Sequence, residues 1–204
     1  MATYIGYVNV AHDTYDVWKN NTLGNFYDAD GIYGCQCYDF VLIFWYSVGF
    51  PTGYPVSSNL GAAGIWDRRD ENLSYNGVTY FSLVYDLNQV KRGDILIYSG
   101  FLGNDYGHVG FADQDYATWH AANPDSYEFP ILSENNGGVP YPDGGTSVNV
   151  HGYDTRLFRG AFRYIPWDTQ PPVVTTEERN KFPWPVAWRH WGIYGRRKDV
   201  NLPR

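Results

Sequence analysis

Cysteine is nearly absent from this 204-residue chain: there are two, Cys35 and Cys37, with a single residue between them. That separation is too short for an unstrained disulfide, so no disulfide framework holds the fold. No second Cys or His pair stands at ligand spacing, which argues against a zinc site. Long apolar runs are missing too. None reaches the roughly 18 residues of a membrane span, and the N-terminal MATYIGYVNVAHD has neither a basic nor an apolar region of the signal-peptide kind. Neither a signal peptide nor a membrane span is therefore expected. Basic residues are scarce through position 166, 8 Lys/Arg against 18 Asp/Glu, which argues against nucleic acid as a ligand. Residues 167–204 reverse the balance, 7 against 4, and suit an anionic surface or a partner protein.

What the chain does have is aromatic side chains, 19 Tyr and 8 Trp among them. Such rings stack on sugar faces or build a rigid core. The length fits one buried domain, 1–166, followed by an extended basic, Trp- and Pro-rich arm, 167–204. DTYDVWKNNTLGN reads as a helix stopped by Gly24. From Cys37, the apolar positions Phe40, Val41, Phe44, Trp45 and Val48 recur at three and four residues, a helix ended by Gly49 and Pro51. Residues 51–90 read as loop with one short helix near 60–66. After Gly93 the pattern changes to short β-branched and aromatic runs between turns: 95–98, 109–113, 116–122, 129–135 and 157–165. Helices first and strands afterwards predict an α+β fold, N-terminal helices packed on an antiparallel sheet.

Cys37 stands at the start of the apolar helix, where free N–H groups and the helix dipole favour thiolate. A thiol nucleophile needs a histidine and a group to orient it. His108 follows a glycine at the opening of a predicted strand and is the first candidate among five histidines, with His120 as a second. Glu134 ends a strand expected beside that of His108, and Asn136 shares its face by the two-residue period. The competing reading of SENNGG is an ordinary strand-end turn.

Just before the cysteine, Asp28, Asp30 and Asp39 occupy positions 1, 3 and 12 of an EF-hand-like spacing suited to a hard cation. Position 5 is Ile32 and the glycine is Gly31, so the loop departs from a true EF-hand. The carbonyls of Ile32 and Gly34 would complete a related Ca2+ site. A solvated acidic turn capping the helix is the alternative.

The order of these features resembles the CHAP family, the cysteine, histidine-dependent amidohydrolases and peptidases of phage lysins and bacterial wall enzymes. The resemblance rests on Gln36-Cys37-Tyr38-Asp39, Gly93-Asp94-Ile95, Gly107-His108-Val109, Glu134-Asn135-Asn136 and Gly160-Ala161-Phe162-Arg163. It spans about 15–166, with a longer segment than the family's between His108 and Glu134. It implies a papain-like α+β fold and a peptidoglycan substrate cut at an amide bond, as amidase or endopeptidase. Cys37 would attack, His108 act as base and then acid, Glu134 orient it and Asn136 assist. Calcium would sit among Asp28, Asp30, Ile32, Gly34 and Asp39. Phage lysins of this kind act from the virion tail or are released from the host cytoplasm to the wall. Three rivals stand beside this reading: an NlpC-type peptidase, whose Asp-Cys-Ser-Gly opening is absent, a virion structural component anchored by the arm's aromatic residues, and a wall-binding module without catalysis, which the Cys–His–Glu set contradicts.

Overall fold

Thr14 opens the first helix of the computed structural model, which describes residues 10–59, 61–100, 105–140, 142 and 144–168. Its hydroxyl accepts from the Val17 amide, satisfying one of the free donors of a helix start, and α1 covers Tyr15–Thr22. Gly24, at φ 80°, turns the chain away beyond it. Then α2 runs over Cys37–Ser47, held at its start by Asp39, which accepts from the Gln36 amide at 3.0 Å. The expected stripe of Phe40, Val41, Phe44, Trp45 and Val48 is buried. Helix α3, Ala62–Asp67, lies where one short helix is expected.

The 51–90 stretch also holds three strands that the sequence reading does not anticipate. β1 (Ser74–Tyr75) and β2 (Val78–Thr79) form a hairpin on Asn76-Gly77, both residues at positive φ, while β3 (Phe81–Val84) is an edge of the main sheet. β4 (Ile95–Tyr98) and β5 (His108–Ala112) follow as expected. Residues 116–122 are a correction: they form α4, Tyr116–Ala122, and not a strand. Tyr116 and Trp119 are three apart and both buried, and Ala117, Ala121 and Ala122 favour helix. β6 (Glu128–Ser133), β7 (Asn149–Asp154), β8 (Phe158–Tyr164) and a short α5 (Ile165–Asp168) complete the described chain. β7 is the fourth strand not anticipated.

The six-stranded sheet has the order β3-β8-β4-β5-β6-β7, every neighbouring pair antiparallel. On one face Phe40, Phe44 and Trp45 of α2 pack with Trp18, Phe81, Phe111 and Phe162. On the other, Tyr116 and Trp119 of α4 pack on Leu96, Ala112, Phe129 and Ile131. β4 and β5 are covered from both sides, which is why Ile95–Tyr98 reads as an unbroken apolar run. The architecture is α+β.

Two sequence motifs turn out to serve this framework. Asp94, 2% exposed, accepts from the Arg163 guanidinium at 2.9 and 2.8 Å and from the Lys91 amide. The Gly-Asp-Ile and Gly-x-Phe-Arg steps thus meet as a buried ion pair that ties the start of β4 to the end of β8. Trp167 also belongs to the body, its Nε1 donating to the His12 carbonyl at 2.7 Å and its ring packed on Phe44 and Tyr164. The rest of the arm, 169–204, lies outside the described residues.

Candidate active site

The first turn of α2 presents Cys37 to the sheet, at the end of the helix where backbone amides lack helical acceptors. Its sulfur accepts a hydrogen bond from the Val109 amide, one residue beyond His108 on β5. The structure therefore sets the cysteine chosen from sequence against the residue that follows the chosen histidine. It differs on protonation. The helix end favours thiolate, but burial dominates and, with Asp39 and Glu134 nearby, pushes the Cys37 thiol up to about 12. Burial, with His151 adding to it, holds the His108 imidazole down to about 3. At neutral pH the resting pair is a thiol beside an uncharged imidazole.

Two residues that the sequence reading passes over hold this imidazole. Its Nε2 lies 2.9 Å from the hydroxyl of Ser133, a fully buried residue. The Tyr153 ring stacks on it, with centroids 4.5 Å apart and planes 13° from parallel. Burial and the neighbouring Cys37 push the Tyr153 phenol up to about 12. Gly110 leaves room for the arrangement, since a Cβ there would lie 2.9 Å from Ser133 Cβ. Asn135, at φ 56°, donates to Gln36 Oε1 at 2.8 Å and so ties the loop after β6 to the residue before Cys37.

Glu134 and Asn136 are not where the sequence reading puts them: among the described residues neither hydrogen-bonds to His108. Side chains alternate along β6, so Ser133 and Glu134 leave on opposite faces. Glu134 points beneath α2, where its Oε1 accepts from the Tyr27 amide at 2.7 Å and the Cys35 thiol donates to the same carboxyl. Asn136 is held in the following turn, its amide donating to Thr146 Oγ1 at 3.0 Å. The second histidine candidate, His120, stacks on Tyr116 within α4.

Burial pushes the Glu134 carboxyl up to about 10, so the group is protonated at neutral pH. In the unfolded chain it ionises near 4.5. Its contribution to stability is thus complete below 4.5 and is lost progressively as pH rises toward 10. Glu134→Gln mimics the protonated form and keeps an acceptor for Tyr27. It is expected to flatten the decline of stability over that window, read by urea denaturation at several pH values, and to leave substrate turnover unchanged. A turnover loss with stability intact would restore Glu134 to the chemistry.

The family model for the CHAP domain matches residues 26–123. The chain carries a CHAP domain. The D-alanyl-L-alanine endopeptidase of Streptococcus phage B30 is 35% identical over 104 residues, which is 50% of this chain and 22% of that protein. The chain thus spans about a fifth of the length of this curated relative. The crystal structure of the wild-type endolysin LysIME-EF1 is similar with a TM-score of 0.52 at 20% identity, covering 76% of this chain and 66% of that one. At that identity the likeness concerns the fold.

In the loop before Cys37 and at the first turn of α2, one oxygen each from Asp28, Asp30 and Asp39 comes within 4.8 Å of the others. Asp39, 1% exposed, accepts from the amides of Ala29 at 3.0 Å, Asp30 at 3.2 Å and Gln36 at 3.0 Å, so the loop is wound about this carboxylate. Burial, with Asp30 adding to it, pushes Asp39 up to about 7 despite those donors. Asp28 Oδ1 is buried without a hydrogen-bond partner among the described residues. Ile32 and Gly34 lie in the same loop, which is bent at Gly31, Tyr33 and Gly34 by φ of 73°, 65° and 72°. A converging all-oxygen set with an orphaned buried acceptor fits a hard divalent cation.

Proposed function

We propose that this chain is a peptidoglycan hydrolase of the phage lysin type, cleaving an amide bond by thiol attack. The observation that carries the reading is Cys37, at a helix start, with its sulfur on the Val109 amide beside an uncharged His108. Cys37 would pass its proton to His108 as the sulfur attacks the carbonyl. The positive end of the α2 helix favours the negative charge that develops there. The imidazolium then protonates the leaving amine, and water, activated by the same histidine, releases the acyl group.

The name of the phage B30 relative supports an endopeptidase acting between D-alanine and L-alanine over an amidase acting between glycan and stem peptide. Mass spectrometry of purified walls after digestion tests this. A new carboxyl-terminal D-alanine with the glycan–peptide bond intact is expected; a free lactyl carboxyl on the glycan would point to the amidase instead, and unaltered wall fragments would refute hydrolysis. The basic arm at 167–204 is the segment we assign to contact with the wall or with virion proteins.

We further propose that Asp28, Asp30 and Asp39, with the Ile32 and Gly34 carbonyls, hold Ca2+. A bound cation would supply the positive charge that three carboxylates beside a thiol otherwise lack. The chain's own part is to wind the loop about Asp39 and so fix the turn that presents Cys37. A ligand at a hundredfold over its Kd adds about 2.7 kcal/mol, which for a domain of this size raises Tm by about 5–10 °C. Chelator is expected to lower Tm by that amount and slow wall clearing, with recovery on adding calcium. Asp30→Asn should abolish the shift, and an equal Tm with and without chelator would remove the cation from this account.

A further inference from the structure

The geometry points to Ser133, not Glu134, as the residue that positions the catalytic histidine, by fixing His108 in the tautomer with its proton on Nε2. The inference rests on the hydrolase reading for its kinetic consequence and on contacts alone for its structural content. Ser133 Oγ has three polar neighbours: the Val109 carbonyl at 2.7 Å, the Glu134 carbonyl at 3.2 Å and His108 Nε2 at 2.9 Å. A hydroxyl owns one proton. Both carbonyls can only accept, and at 2.7 Å the Val109 oxygen cannot face Ser133 without a proton between them. The serine proton therefore goes to the backbone. What remains toward the imidazole is a lone pair, so Nε2 must be the donor.

Neutral imidazole carries a single N–H. With that proton on Nε2, Nδ1 is left with the lone pair a base needs. The Tyr153 stack resists rotation of the ring out of this orientation. The peptide of Val109 links the two reacting groups, its N–H bonded to the Cys37 sulfur and its C=O to Ser133. Any shift of Ser133 would thus be felt at both. A serine here also explains why Glu134 is free to lie beneath α2.

Nitrogen-15 NMR of the imidazole in the wild-type protein reads the tautomer directly and needs no variant. Nε2–H with Nδ1 unprotonated is expected; Nδ1–H would overturn the proposal. Ser133→Ala is expected to lower kcat about tenfold or more, the worth of one buried hydrogen bond, with KM little changed. It should also mix the two tautomers, and Ser133→Thr, which keeps the hydroxyl, should restore both readouts. If Ser133→Ala retains kcat and the pure Nε2–H form, Ser133 is not the positioning residue, whatever else holds. Cys37→Ala, assayed in parallel, separates the two failures: activity surviving that change would defeat the hydrolase reading, while the tautomer measurement would still decide the role of Ser133.

Discussion

Cys37→Ala is expected to remove at least about a thousandfold of the wall-cleaving rate while leaving the fold in place, because no second nucleophile can take over acyl transfer. The side chain is only half-buried and stands at the first position of α2, where alanine is a good helix former and loses a single sulfur. Thermal unfolding followed by circular dichroism should therefore change little, and turbidity of purified walls should stay flat. Cys35→Ala is the matched control. Cys35 is buried, its thiol bonded to Glu134 and its amide to the Gly144 carbonyl at 3.1 Å. That variant should lose about 1–2 kcal/mol of stability and keep turnover. Wall clearing by Cys37→Ala at the wild-type rate would end the thiol mechanism.

Gly145→Ala should be the most damaging small substitution near the site. Gly145 sits at φ 81°, where a side chain is strained, and a Cβ there would fall 1.7 Å from the Cys35 carbonyl oxygen. The obstacle is backbone, which cannot rotate away as a side chain would. Cys35 and Gly145 form a β-bridge that holds the loop after β6 against the acidic loop two residues before Cys37. Relief therefore means parting the two loops, at a cost of about 3 kcal/mol or more from overpacking and the positive φ together. Urea denaturation should show that loss. Activity should fall further than stability alone accounts for, since Asn135 no longer meets Gln36. A variant as stable and active as the wild type would mean the bridge does not form.

Much of this site can be read along the chain because it depends on local order. Cys37 at a helix start follows from the apolar period of residues 37–48 and from Asp39, whose cap is a three-residue relation. His108 at a strand opening follows from a glycine before an apolar run. The Asn76-Gly77 hairpin also carries a readable signal, two turn residues between short β-prone pairs. β7 offered none: Asn149–Asp154 is an edge strand whose Val150 is exposed, so no apolar alternation marks it. Helix α4 differs from the expected strand because its two buried rings are compatible with either element over so short a segment.

The composition, the order of the motifs and the helix capped by Asp39 carry the α+β class, the choice of Cys37 and of His108 and the acidic loop, since each is marked by neighbours a few residues away. Which residue touches His108 rests instead on register. β5 and β6 pair as Phe111 with Leu132 and Ala112 with Ile131, which sets Ser133 on the histidine's face and sends Glu134 to the other. A shift of one residue would exchange them, and no local pattern in Leu-Ser-Glu-Asn prefers either. The protonation of the pair was decided the same way. Its helix position favours a thiolate, and only the packing of α2 against the sheet, by excluding water, leaves both groups uncharged.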